Sequence, residues 1–237
     1  MPSWIIHLAT AKKVIERINI NELNINSFLI GNLIADAKRH VVKDFSICVP
    51  YHISHFSEFM KIDGNIDELP NIDKFLDSYK NKLSNSMVLG YLIHLLTDYY
   101  WNKTTFFRYT IRDNQGNCIG VNLNNGVKLT CDINERNYIK QGDFMNFENY
   151  IINQKNYIIP KYENNIIDEL KLVKEVSFNE SDIKKIIKYV ENKSKEENEE
   201  ETEKYKLFTK EQILKDFQES IDFIVGYLQK LDIRVKE

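Results

Sequence analysis

Apolar residues recur at helical spacing along most of this 237-residue chain. Positions three and four apart share one face of a helix, so the pattern predicts a mainly α-helical protein. In the last helix, the apolar stripe runs from Ile213 through Phe217 and Ile221 to Leu228. The predicted helices are Ile5–Ile18, a helix that begins near Asn26, Asn71–Leu83, Ser86–Lys103, Asp143–Ile152, Ile166–Val173, Ser181–Asn192 and Thr209–Leu231.

Four stretches between these helices lack the helical spacing. We expect Lys43–Met60 to be a loop that ends in a short helix or turn, and Gly64–Pro70 to be a loop. Residues 107–133 alternate around two turn signals, which predicts one or two small β-hairpins. Lys193–Lys204 contains no apolar residue and is expected to be a mobile loop or a solvated helix end. The pattern therefore predicts one all-α domain, residues 1–237, with a small β insertion.

The composition of the chain limits which cellular locations and which classes of partner we expect. The net charge of −3 gives no global basic field, which disfavours nucleic acid as a partner. No apolar run is long enough to cross a bilayer, and no signal peptide is visible at the start of the chain. Cys48, Cys118 and Cys131 form no CxxC motif, so we expect reduced thiols and a cytoplasmic location.

The most informative stretch is residues 87–106, which is apolar almost all round yet carries His94 and Asp98. Residues four apart lie above one another on a helix, so the imidazole and the carboxylate project together. A buried carboxylate is costly unless it is paired or binds a cation. This spacing alone is compatible with a metal ligand pair or with a hydrogen-bonded His–Asp pair.

The other histidines and two acids add to this picture. All five histidines lie within the first 94 residues, and His7, His55 and His94 have apolar or aromatic neighbours. Asp36 and Asp98 are likewise embedded in apolar helices. If these five groups converge, they form a set that suits zinc. The alternative is five separately satisfied polar residues in the core.

Four segments together resemble the zinc-dependent phospholipase C-like family, whose all-helical fold is shared with the single-strand-specific fungal nucleases. In chain order they are MPSWIIHLATAKKV, FLIGNLIADAKRH, SHFSEF and GYLIHLLTD. The resemblance covers residues 1–106 by motif. It implies a helical metallohydrolase with Zn²⁺, or another divalent ion, as its cofactor.

The resemblance also implies a ligand set. One metal would be held by Asp36, His55, His94 and Asp98, and a second by His7, with Asp98 bridging the two. Asp36 would act as a ligand or as a general base. Trp4 and His52 are candidates to contact the ligands without binding the metal themselves. His40 is expected at the surface.

Family members with three metals have further ligands that this chain lacks, since no histidine follows His94. Where those members have a histidine soon after the HxxxD motif, this chain has Lys103, Thr104 and Thr105. A third metal site would therefore have to use carboxylates such as Asp143 or Glu148. We therefore expect one or two metal ions. Four cations are candidates to neutralise a phosphate in place of the third metal: Lys38, Arg39, Lys103 and Arg108.

The expected function is that of a hydrolase, with phosphoesters as the favoured substrates and water activated by the metal as the nucleophile. A small molecule or a lipid head group suits the chain better than nucleic acid. Two alternatives stay open. The chain can be a metal-stabilised binding or scaffold module without turnover, or a metallohydrolase that cleaves an amide or ester.

Overall fold

The computed structural model describes residues 2–20, 22–37, 49–62, 65–196 and 205–236. Within these ranges the chain is mostly helical with two small antiparallel sheets, which confirms the predicted mainly helical class. The helices are α1 (Trp4–Arg17), α2 (Ile25–Ile34), α3 (Tyr51–Ser54), α4 (Ile72–Tyr79), α5 (Ser86–Tyr109), α6 (Ile133–Gln154), α7 (Ile166–Leu170), α8 (Glu180–Lys193) and α9 (Lys210–Lys230). The strands are β1 (Ser57–Ile62), β2 (Asn65–Pro70), β3 (Thr110–Arg112), β4 (Cys118–Asn122) and β5 (Lys128–Thr130).

Several expectations concern residues outside these ranges. His40, Cys48, Lys38 and Arg39 are among them, and so is most of the polar run 193–204. Across the described ranges, none of the helices is both long enough and apolar enough to cross a membrane.

Helix α5 forms the centre of the core. It begins where the Asn85 side chain accepts hydrogen bonds from the backbone N–H groups of Met87 and Val88. The predicted helix Ser86–Lys103 is confirmed, although it continues to Tyr109. From Ser86 to Asp98 every side chain is buried, which explains why the stretch is apolar on all sides.

Helices α2 and α5 approach so closely that their backbones touch at two glycines. A Cβ atom on Gly31 would lie 2.1 Å from the Met87 carbonyl oxygen, and one on Gly90 would lie 1.9 Å from the Phe28 carbonyl oxygen. The Asn32 side chain also donates to the Gly90 carbonyl at 3.2 Å. Because this contact leaves no room for a side chain at either glycine, it fixes the middle of α2 against the first turns of α5.

The short helix expected in Lys43–Met60 is present as α3, although β1 follows it and residues 43–48 lie outside the described ranges. The expected loop Gly64–Pro70 is wrong, because β1 and β2 pair in an antiparallel hairpin. Its register runs from Ser57 opposite Pro70 to Ile62 opposite Asn65. Charged residues such as Glu58 and Lys61 interrupt the apolar positions of β1, so the sequence pattern did not indicate a strand there. The Asp-Gly sequence between the paired ends was the available signal, because that dipeptide favours two-residue hairpin turns.

The predicted β insertion is confirmed, as β3, β4 and β5 form a three-stranded antiparallel sheet. It carries Cys118 and Cys131 as free thiols. Helix α6 then begins at Ile133, ten residues before the predicted Asp143. Its start is fixed by a capping box in which Asp132 and Glu135 bond each other's backbone N–H groups.

Candidate metal centre

Four elements bring His7, Asp36, His55, His94 and Asp98 together in the core. His7 lies in the first turn of α1, and Asp36 lies in the turn that follows α2. His55 ends α3, and α5 contributes the remaining two residues. The three imidazoles and Asp98 have 0 % exposure, and Asp36 has 8 %. The predicted residues therefore converge, and whether they bind a metal stays a prediction.

His55 lies at the centre of one group. Its Nε2 atom is 3.1 Å from His94 Nε2 and 3.2 Å from Asp36 Oδ1. The Oδ2 atom of Asp98 lies 3.4 Å from the same nitrogen and 3.6 Å from His94 Nε2. Asp36, His55 and His94 thus each turn one potential ligand atom towards the other two, and one oxygen of Asp98 approaches both imidazoles.

His7 lies on the other side of the Asp98 carboxylate. Its Nε2 atom is 3.4 Å from Asp98 Oδ1, whereas His55 and His94 approach Oδ2. The His7 ring also stacks on that of His94, with 4.0 Å between the centroids. The two oxygens of one carboxylate therefore serve two groups, as the bridging role predicted for Asp98 requires.

Two hydrogen bonds orient the rings. His94 Nδ1 lies 2.9 Å from the Asn32 backbone carbonyl, which can only accept, so this nitrogen carries the proton and Nε2 offers its lone pair. His55 Nδ1 lies 2.9 Å from Ser54 Oγ. A hydrogen bond from the second ring nitrogen to a carbonyl or other polar group is typical of metal-binding histidines.

The two side chains predicted to support the ligands have different positions. His52 is exposed on α3, so the supporting contacts come from Ser54 and Asn32 instead. Trp4 is buried and packs edge-on against Tyr189, with 5.3 Å between the ring centroids. It also lines the cavity beside the cluster, where its indole N–H has no hydrogen-bond partner among the described residues.

The cluster contains more lone pairs than protons, which is the strongest sign that it suits a cation. Within the described residues, both Asp98 oxygens, Asp36 Oδ1 and both His7 nitrogens are buried without a hydrogen-bond partner. Buried polar atoms in native proteins are nearly always satisfied. A tetrahedral zinc site has ligand atoms about 3.3 Å apart, given its metal–ligand bonds of about 2.0–2.1 Å. The observed separations match this spacing, so these residues fit a metal ion.

The protonation states also suit metal ligands. Burial lowers the pKa of His7 to about 4, helped by the nearby His94 ring, and burial lowers the pKa of His55 as well. Burial alone would raise the pKa of Asp36 and Asp98, but their imidazole neighbours outweigh it and hold the pKa of both carboxyls below the usual range. Neutral His7 and His55 imidazoles and ionised carboxylates are the forms that bind metal.

A cavity of about 790 Å³ adjoins the cluster and reaches it at Asp36. Its wall also contains two buried cations from α6, Arg136 and Lys140, which are not among the predicted site residues. Their signal was present in the sequence, because they continue the stripe of Phe144, Phe147 and Ile151 towards the start of α6 at helical spacing.

The other candidates for a third metal site, or for a phosphate contact, are engaged elsewhere. Both oxygens of Asp143 accept backbone N–H groups of residues 206–208, at 2.7–3.0 Å. Glu148 lines the cavity but belongs to neither His/Asp group. Arg108 pairs with the buried Asp216, and Lys103 lies over the Tyr99 ring, so neither lines the cavity.

Across the described residues, two groups of three side chains can each hold a metal ion. They are His7 with His94 and Asp98, and Asp36 with His55 and His94. Comparison with known proteins adds no assignment, because no protein-family model, no curated protein and no solved structure matches the chain.

Proposed function

We propose that this chain is a metal-dependent hydrolase of phosphoesters, with the helical fold of the zinc-dependent phospholipase C-like family. The observation that carries the proposal is the buried cluster, in which Asp98 faces His7 through one oxygen and His55 and His94 through the other. The adjoining cavity and its cations support a small anionic substrate or a lipid head group.

In this proposal Asp36, His55, His94 and Asp98 hold one ion, and His7 shares Asp98 with a second. Zinc suits this mixture of nitrogen and oxygen ligands, and other divalent ions remain part of the proposal. When bound, the metal supplies a Lewis acid that activates water and neutralises charge on the phosphate.

The residues of the chain have separate tasks in this reaction. Asp36 is the only one of the five that lines the cavity, so it is the group that a water or substrate in the cavity would meet first, as a metal ligand or as a general base. Asn32 and Ser54 hold the His94 and His55 rings in their orientations. The buried walls around His7 and Asp98 keep bulk water away from them, which strengthens electrostatic interactions there.

One observation favours the alternative of a metal-stabilised module without turnover. Four of the five side chains have no exposure, and a structural metal site is usually closed in this way. The two functions differ in whether water and substrate reach the metal past Asp36.

The deciding experiment combines metal analysis with an activity screen. Protein as purified, and protein reloaded with zinc, is tested against phosphodiesters and phosphomonoesters that include lipid head groups and nucleotides. Asp36→Asn serves as the comparison. Cleavage that requires metal and falls at least about 100-fold in Asp36→Asn supports the hydrolase. Bound metal without cleavage of any substrate would favour the structural module.

A further inference from the structure

Lys140 is a buried cation without an ion-pair partner. Its side chain is 4 % exposed, and its Nζ atom donates to Asn102 Oδ1 at 2.7 Å. Among the described residues no carboxylate lies within ion-pairing distance of this ammonium group. A buried charge with one neutral partner is unfavourable, and an anionic ligand would relieve that cost.

Arg136, one helical turn earlier on α6, adds to the positive charge. Its NH1 atom lies 2.8 Å from Asp67 Oδ2, and Arg112 NH2 lies 3.6 Å from the same oxygen. Two guanidinium groups therefore share one carboxylate. The nearby Glu68 also lines the cavity, where it accepts a hydrogen bond from Ser57 at 2.6 Å.

The cations lie beside the proposed metal centre. Asn102, the partner of Lys140, follows Asp98 by four residues on α5 and therefore shares its face of the helix. Four residues of helix span about 6 Å along the axis. Lys140 and Asp36 line the same cavity, so one ligand can reach both the cluster and the ammonium group.

We propose that Lys140, with Arg136 one turn away, forms an anion subsite that binds the phosphate group of the substrate next to the His/Asp cluster. The identity of the ligand as a substrate rests on the proposed function, whereas the existence of the subsite does not. Lys140 contacts phosphate oxygens as a charge-assisted donor and takes the place of a further metal ion in neutralising them.

Inorganic phosphate is the probe that tests the subsite. Its binding to the purified, metal-containing protein is measured by calorimetry for the wild type, Lys140→Met and Lys193→Met. Lys193 is the matched control, because it lines the same cavity but is already paired with Glu196 at 2.6 Å. We expect binding to weaken about 10- to 100-fold in Lys140→Met and less than about twofold in Lys193→Met.

Thermal unfolding separates this role from a structural one. In phosphate-free buffer Lys140→Met should melt at the wild-type temperature or higher, since it removes an unpaired buried charge. Phosphate should then stabilise the wild type and not the variant. Equal phosphate binding by the two proteins would overturn the subsite, and so would a lower melting temperature of Lys140→Met accompanied by loss of metal.

The subsite and the proposed hydrolase can fail separately. Phosphate binding that depends on Lys140, without cleavage of any phosphoester, would retain the subsite and refute the hydrolase. Metal-dependent cleavage with phosphate binding unchanged in Lys140→Met would refute the subsite and retain the hydrolase.

Discussion

His7 Nε2 lies 3.4 Å from Asp98 Oδ1, and this contact joins α1 to the ligands that surround the other oxygen of the same carboxylate. In the proposed assignment Asp98 is the shared ligand, because one of its oxygens faces His7 and the other faces His55 and His94. A shared ligand couples the two proposed metal positions. Substitution of Asp98 should therefore affect the content of both metal ions, whereas substitution of a ligand of one ion should affect that ion.

Asp98→Asn should remove both metal ions at once. The substitution keeps the shape of the side chain but removes the negative charge and one of the two acceptor oxygens. Elemental analysis of the purified protein measures the result. Asp168→Asn is the control, because Asp168 is an exposed carboxylate that pairs with Lys171. Full metal content in Asp98→Asn would show that the carboxylate does not bridge.

His7→Gln and His55→Gln should each remove a different ion. His7 contacts one oxygen of Asp98 and His55 the other, so each single variant is expected to retain about one ion per chain and the double variant none. Elemental analysis and the melting temperature with and without chelator report the loss. A single centre would instead lose all its metal in the His55 variant and keep it in the His7 variant.

Gly90→Ala should destabilise the fold strongly, by roughly 3 kcal/mol or more, because its Cβ would lie 1.9 Å from the Phe28 carbonyl oxygen. The neighbouring backbone can relieve this clash only if α2 moves away from α5. Gly226→Ala is the matched control in a helix, since apart from the adjacent residues and the nearby backbone of its own helix no atom lies within 4 Å of its added Cβ. The control should gain about 0.5–1 kcal/mol from helix propensity. Chemical denaturation measures both changes.

Lys140 should give the wild type a distinct pH dependence. Burial, aided by Arg136, lowers the pKa of Lys140 to about 8 despite the attraction of Asp67 and Asp98. In the unfolded chain the pKa is about 10.4, so between these values the unfolded state binds more protons than the folded state. The free energy of unfolding in phosphate-free buffer should therefore rise from pH 8 to pH 10.4, by about 3 kcal/mol. Lys140→Met should lack this rise in a denaturation series over the same pH range.

The extent to which the sequence predicts the fold depends on how clearly each element separates apolar from polar positions. Helix α9 has a long apolar stripe and lies close to its predicted bounds, and helix α5 begins at its predicted residue but continues six residues further. Strand β1 is largely exposed and charged residues occupy several of its positions, and the buried positions of β2 include the carboxylate of Asp67, so the apolar alternation of the hairpin is weak. The start of α6 was missed because charged residues, Arg136 and Lys140, occupy its buried face.

For the site, too, some residues could be predicted from the sequence and others could not. The five proposed ligands stood out because each is a polar group within apolar sequence. Lys140 did not stand out, because a lysine in a mixed sequence is normally expected at the surface, and its burial becomes evident only when α6 packs against Asn102 of α5. The close approach of the two helices at Gly31 and Gly90 could not be predicted either, because the sequence around a helical glycine does not show which backbone packs against it.

The burial of the cluster has a kinetic consequence. Of the five side chains, Asp36 alone reaches the cavity, so an ion can enter or leave past that carboxylate or when the core opens locally. Exchange with free ions in solution would then be slow. The metal found in the purified protein would accordingly record which ions surrounded the chain as it folded, rather than which ion it binds most tightly.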